Sequence, residues 1–282
     1  MNETAIKERL KVIAKEKGVT FNECWKQLLL ERMLARVSRS PHREHLIFKG
    51  GFLLSYLIEI GRETKDLDFL LRQVEAKEAS VQEIFEEIAA IELRDGFSFQ
   101  FSKLEILSQP HMHYPGFRLT LQARLDKMKD QVQIDIGVGD SVLPKNREVS
   151  LFRYRGVPIF ESEITLLSYP LETIFAEKFE TTISKGAANS RMKDYHDLLI
   201  MGRSGALKLT ELKFSITETF KTRETPLTDE ISFGPIEMRK LQSLWSSHLR
   251  GYDDLATELN LPKHIEDTIV EINQLLKSLK EV

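Results

Sequence analysis

The sequence predicts an α/β fold, a small mixed sheet followed by a helical C-terminal domain. Three observations lead there. A short apolar run, Leu46-Ile47-Phe48, passes through Gly50-Gly51 into helical spacing and then into a second strand-like stretch, Asp66–Leu70, which reads as strand, turn, helix and strand. Three later segments, Phe97–Phe101, Phe117–Ala123 and Gln131–Val138, alternate apolar and polar residues. After Ser168 the apolar spacing becomes helical. The expected division is 1–161, two helices over residues 2–38 and then the sheet, and 162–282, helical. A chain of 282 residues has room for one large domain or two smaller ones.

Composition narrows the possibilities. Hydrophobic residues make up 41% and charged residues 29%, the balance of an ordinary globular chain. The net charge of −3 excludes a general polycation, so nucleic-acid contact would need a local basic patch. Cys24 is the single cysteine, which rules out a disulfide within the chain. Charges fill the first ten residues where a signal peptide needs an apolar core, and no apolar run reaches membrane-spanning length. A cytoplasmic chain with no membrane partner is expected.

In order along the chain, Ile6, Leu10 and Ile13 define a first helical face. Thr20 is placed to cap a second helix with Cys24, Trp25, Leu28, Leu29, Met33 and Leu34 inward; Cys24 there reads as a small apolar group. Ser38–Arg43 is a basic linker, either solvated or in contact with a nucleic acid. At Gly50-Gly51 the absence of Cβ atoms lets the backbone approach a ligand. A helix over Phe52–Ile60 follows, and free N–H groups at a helix start make a seat for a phosphate.

The strand after it carries two carboxylates. Side chains alternate along a strand, so Asp66 and Asp68 share one face and Leu67 and Phe69 the other. Asp is disfavoured in strands. Two neighbouring carboxylates repel unless a cation or a proton intervenes, and Mg²⁺ favours such oxygen ligands together with substrate phosphates. The alternative is a solvated edge strand. In Gln131–Val138, Asp135 and Gln133 lie opposite Val132, Ile134, Ile136 and Val138. An Asp in such a strand is costly to bury unpaired. Beside the Asp66–Asp68 strand it becomes a third carboxylate; at a sheet edge it merely faces water.

A helix is expected over Val74–Ala90. His111 and His113 fall between prolines with no third ligand nearby in sequence, which favours an ordinary loop. Val149–Tyr154 and Val157–Phe160 read as a hairpin about Arg155-Gly156, with a basic cluster of Lys145, Arg147, Arg153 and Arg155 that could follow phosphates. In the helix from Leu171, Lys178 falls within the apolar stripe and must snorkel or meet an anion. In the helix from Arg191, Asp194 and Asp197 are one turn apart on a shared face, where a helix dipole already favours acidic groups. The helices over Leu209–Lys221, Pro235–Leu249 and His264–Glu281 show no chemistry.

Lys49-Gly50-Gly51 followed by Gly61-Arg62-Glu63-Thr64-Lys65-Asp66-Leu67-Asp68-Phe69 resembles the first motif of the AbiEii-type nucleotidyltransferases. These are toxins of bacterial toxin–antitoxin and phage abortive-infection systems in the DNA polymerase β-like superfamily. Their pattern is a Gly-Gly or Gly-Ser turn, then Arg-x-Ser/Thr-x-Asp-x-Asp. The stretch around Lys178 resembles the family's third motif, and Arg191–Leu198 its fourth, so the likeness covers roughly residues 45–200. It implies a polymerase β-like mixed sheet with flanking helices and a Mg²⁺-dependent transfer of a nucleoside monophosphate from an NTP to an acceptor, RNA and in particular a tRNA 3′ end. It implies one or two Mg²⁺ on Asp66, Asp68 and Asp135, and nucleotide contacts from Lys49, Gly50, Gly51, Thr64 and Arg191. Lys178 points at the nucleotide in this scheme. Asp194 takes the essential acidic position, as general base or as the group that orients a lysine or arginine, with Arg191 and Asp197 as companions. An antitoxin encoded nearby is implied, which need not form a stable complex with the toxin. Two rival readings stand beside this one. One is transfer to a protein or small molecule from the same site. The other is a nucleotide-binding module without catalysis, against which the intact carboxylate set argues.

Overall fold

A computed structural model describes residues 3–107, 115–188, 190–252 and 257–281; His111 and His113 lie outside them. The elements are α1 (Glu3–Lys17), α2 (Phe21–Arg39), β1 (Leu46–Lys49), α3 (Gly50–Leu57), β2 (Asp66–Leu71), α4 (Glu78–Ala90), β3 (Phe97–Leu107), β4 (Gly116–Leu125), β5 (Met128–Val138), β6 (Lys145–Ser150), β7 (Arg153–Tyr154), β8 (Val157–Pro158), β9 (Glu163–Ser168), α5 (Leu171–Lys185), α6 (Met192–Arg203), α7 (Leu209–Thr222), α8 (Pro235–Arg250) and α9 (Ile265–Ser278). Contacts divide the chain into two units. The first holds residues 1–56, 63–139 and 143–169; the second holds 57–62, 140–142 and 170–282.

The first unit contains a seven-stranded mixed sheet in the order β3-β4-β5-β2-β1-β9-β6. β3, β4 and β5 run antiparallel in sequence; β5 lies parallel to β2, β2 antiparallel to β1, β1 parallel to β9, and β9 antiparallel to β6. The alternation read from the sequence is realised: Leu67 and Phe69 on β2 and Val132 and Ile134 on β5 are fully buried, while Asp66, Asp68, Gln133 and Asp135 are not. Both acidic strands are interior to the sheet, so the edge-strand alternative is excluded for all three aspartates.

Some elements differ from expectation. β9 had no sequence expectation, and Val149 belongs to β6, opposite Ile164, rather than to a hairpin. The pairing continues past β6, because the Leu151 N–H donates to the Ser162 carbonyl. The hairpin therefore shrinks to Arg153–Tyr154 against Val157–Pro158, turning through Arg155 (φ +51°) and Gly156 (φ +78°), a two-residue turn with positive φ at both positions. α3 begins at Gly50 and ends at Leu57, three residues short of Ile60, and α4 begins at Glu78 rather than Val74.

Thr20 caps α2 in a reciprocal capping box with Glu23. The helix is then buried all round from Leu28 to Ser38, charges included. The side chains of Arg32, Arg36 and Asp95 are only 1%, 1% and 2% exposed. Arg32 Nε donates to Asp95 at 2.8 Å; Arg36 grips the same carboxylate at 3.0 and 3.1 Å and donates to the Phe97 carbonyl at 2.8 Å. Arg32 also meets Glu161 at 2.5 Å. Buried charges persist only when paired in this way.

In the second unit α5 packs on α7, with the rings of Phe179 and Phe220 5.2 Å apart. Trp245 on α8 is fully buried and donates its indole N–H to the Pro262 carbonyl. Arg223, just after α7, binds Asp140, Glu177 and Glu180. Among the described residues no helix is long and apolar enough to cross a membrane.

Glu31 on α2 is 5% exposed and accepts hydrogen bonds from the Phe152 N–H and the Tyr56 hydroxyl. Burial pushes its carboxyl up from 4.5 to about 7. The folded state then binds more protons than the unfolded state between those values, so this group's contribution to stability falls as pH rises through that window. Glu31→Gln is expected to flatten the pH dependence of Tm between pH 5 and 7; an unchanged profile would contradict the shift.

Candidate active site

The site begins with strand register. Lys49 lies opposite Asp68, and Asp68 opposite Asp135. Asp135 lies opposite Arg118 on β4, and Arg118 opposite Glu105 on β3. Partners in register share a face, so five charged side chains cross the sheet in a row: Lys49, Asp68, Asp135, Arg118 and Glu105. Asp66 stands one step along β2, opposite Gln133.

Gly50 closes one side of this row. It has φ +73°, and a Cβ built on it would lie 1.9 Å from Asp68 Oδ2. Only glycine fits, because the turn into α3 brings its backbone against the carboxylate. Gly51 follows in the first turn of α3. Lys49 donates to the Tyr169 hydroxyl at 3.2 Å, and its Nζ sits 4.6 Å from the centre of that ring, a cation–π contact. Tyr169 is fully buried and donates its own N–H to the Phe48 carbonyl. Thr64 is 6% exposed, and its hydroxyl has no hydrogen-bond partner among the described residues. An orphaned buried hydroxyl calls for an explanation, and a bound polyphosphate supplies one.

Asp135 is held by Arg118, which donates through Nε at 2.8 Å and through the terminal nitrogen at 2.6 Å. This bidentate bond raises the guanidinium pKa further. Among the described residues no group of three His, Cys, Asp or Glu side chains forms a ready metal centre. The register nevertheless supplies hard oxygen donors beside a glycine cradle, which fits a divalent cation with a phosphate in its shell. Asp66, Asp68 and Asp135 together supply such oxygens on one face, and Asp135 does so once its bond to Arg118 opens.

The second unit holds the other sequence-predicted residues. Lys178 on α5 meets Asp194 at 3.0 Å and Asp197 at 2.8 Å. The two carboxylates on α6 are 1% and 0% exposed and Lys178 is 11% exposed, so the lysine meets anions instead of snorkelling. Burial alone would lower its pKa; the charges of Asp197 and Asp194 reverse that and raise it. Asp197 also accepts two hydrogen bonds from Arg62, at 2.7 and 2.6 Å. Burial works against its charge, yet Lys178 and Arg62 hold its carboxyl well below the usual range. Arg191 Nε lies 3.0 Å from Asp194. The buried His196 bonds the Ile60 carbonyl through Nε2, so neighbouring residues of α6 both grip the 60–62 segment.

Each unit thus gathers its own set. Lys49, Gly50, Asp66, Asp68 and Asp135 come together on the sheet, and Lys178, Arg191 and Asp194 among the helices. Sequence reasoning missed Arg118, Tyr169, Arg62 and His196 as site residues. Alternation in Phe117–Ala123 already turned Arg118 away from the core; its partner needed the register. In the basic hairpin, the guanidinium of Arg155 lies 5.1 Å and that of Arg9 5.5 Å from the Tyr154 ring.

Lys178→Met leaves two buried carboxylates with less counter-charge. It is expected to cost about 3–5 kcal/mol of stability, read from urea unfolding; a loss below about 1 kcal/mol would mean the pair behaves as an exposed one.

Among solved structures, JHP933 from Helicobacter pylori is similar to the chain at 14% identity, with 93% of each chain covered and a TM-score of 0.48. An antigenic nucleotidyltransferase-like protein from Paracoccidioides brasiliensis is similar at 13% identity, covering 83% of this chain and 90% of that one, with a TM-score of 0.35. No curated protein matches the sequence. A family model described as nucleotidyl transferase AbiEii toxin, type IV toxin–antitoxin system, matches residues 32–269. That span includes the glycine turn, the three aspartate positions of the sheet and the lysine–aspartate cluster of α5 and α6, and the chain belongs to the AbiEii family of nucleotidyltransferase toxins.

Proposed function

We propose that the protein transfers a nucleoside monophosphate from an NTP to the 3′ end of an RNA, in the first instance a tRNA. It would act in the cytoplasm as the toxin of an abortive-infection pair whose antitoxin is encoded nearby. One observation carries the reading: the turn at Gly50 brings backbone against the Asp68 carboxylate, with Lys49 in register beside it. A triphosphate seated there meets backbone N–H groups, an ammonium and a hydroxyl that lacks a partner, Thr64 Oγ1.

The acceptor hydroxyl forms a bond to the α-phosphorus as the bond to the β-phosphate oxygen breaks. Pyrophosphate leaves, and the hydroxyl proton passes to a carboxylate of the sheet face. Mg²⁺ on Asp66, Asp68 and Asp135 would supply charge stabilisation for the attacking and leaving oxygens. Lys49, Gly50, Gly51 and Thr64 bind and orient the triphosphate. The helical cluster has three cations, Arg62, Lys178 and Arg191, against the two carboxylates Asp194 and Asp197. In this scheme Lys178 and Arg191 take the developing charge on pyrophosphate, as the family's pattern implies. Asp194, buried and bonded to both, acts as a positioning residue in this scheme.

The test is incubation of the full chain with total tRNA, Mg²⁺ and each labelled NTP in turn, beside Asp68→Asn. Label on RNA that falls at least about 10²-fold in the variant, with its fold intact by circular dichroism, supports the proposal. Label on protein or on a small molecule would overturn the RNA acceptor, and equal labelling by the variant would overturn the site.

A further inference from the structure

Asp68 and Asp135 stand in register on adjacent strands, and like charges so placed must be compensated. The row supplies the compensation itself. Lys49 lies opposite Asp68, and Arg118 makes two short hydrogen bonds to Asp135. Two cations therefore balance two carboxylates. Arg118 is also within electrostatic reach of Asp66. Its side chain remains 37% exposed, and besides Asp135 it meets the Gln133 side chain, whose amide oxygen accepts from Nε and from a terminal nitrogen. On its other side, in register on β3, stands Glu105, exposed and paired with Lys103 at 2.8 Å. A guanidinium that leaves Asp135 has a second carboxylate within one strand spacing.

We propose that Arg118 is a built-in competitor of the divalent cation. It occupies Asp135 while the carboxylates are metal-free and moves toward Glu105 when the metal binds. The inference rests on the assignment of Asp66, Asp68 and Asp135 as metal ligands. In the metal-free protein it holds the Asp135 carboxylate in place, at the expense of metal affinity. Arg118 is thus a positioning residue whose effect should show in metal binding before any turnover.

The experiment titrates Mn²⁺, as the spectroscopic probe, into the full chain without nucleotide and follows free Mn²⁺ by electron paramagnetic resonance at pH 7.5. Wild type, Arg118→Ala, Arg118→Lys and Asp68→Asn are compared. Arg118→Ala is expected to bind Mn²⁺ about five-fold tighter, the equivalent of losing one partly exposed ion pair. Arg118→Lys keeps a cation but not the fork and should fall between it and wild type; it carries the test if the alanine variant does not fold. Equal or weaker binding in both variants, with binding lost in Asp68→Asn, overturns the competitor role and leaves the metal assignment standing. No binding by wild type or by either Arg118 variant overturns the metal assignment and this inference with it.

Discussion

The candidate site depends on one register, Lys49 against Asp68 and Asp68 against Asp135. Strand side chains repeat every two residues, so a slip of one position would exchange the two faces of β2. Asp66 and Asp68 would enter the core, and Leu67 and Phe69, both fully buried, would leave it. The apolar face therefore fixes where the carboxylates stand. Hydrophobic burial, not attraction among the charges, supplies the energy that holds a row of charged groups in line.

With that face set, the rest of the chemistry concerns compensation. On the sheet, one cation stands on each side of the Asp68–Asp135 pair, and both are tethered, Lys49 to Tyr169 and Arg118 to Asp135. Among the helices the carboxylates are deeper, with Asp197 gripped by both Lys178 and Arg62. Around α2 the same logic is purely architectural, with Asp95 clasped by Arg32 and Arg36. An identical residue pairing thus serves stability in one place and chemistry in another. The glycine cradle against Asp68 is why we assign the ligand to the sheet face.

Periodicity carried most of what could be read from the chain. Alternation placed Asp66, Asp68 and Asp135 on the polar faces of their strands, and the apolar stripe of α5 marked Lys178 as a cation in need of an anion. Pairing partners far apart in sequence left no local trace. Arg118 looked like any outward strand residue because Asp135 meets it only through the β4–β5 register. Arg32 and Arg36 drew no expectation from the sequence, since only tertiary contacts reveal Asp95. β9 escaped notice because its six residues run straight into the signals of the following helix at Pro170. The shift of Val149 from hairpin to β6 followed from the same omission.

The central claim is that the aspartates of the sheet hold a divalent cation beside a triphosphate seated on Gly50. Anomalous diffraction from crystals grown with Mn²⁺ and a non-hydrolysable NTP tests it most directly. The account predicts a peak roughly 2 Å from carboxylate oxygens of Asp66 and Asp68, with triphosphate density against Gly50 and Gly51. Nucleotide bound elsewhere, or nucleotide on this turn with no metal at either aspartate, would contradict it.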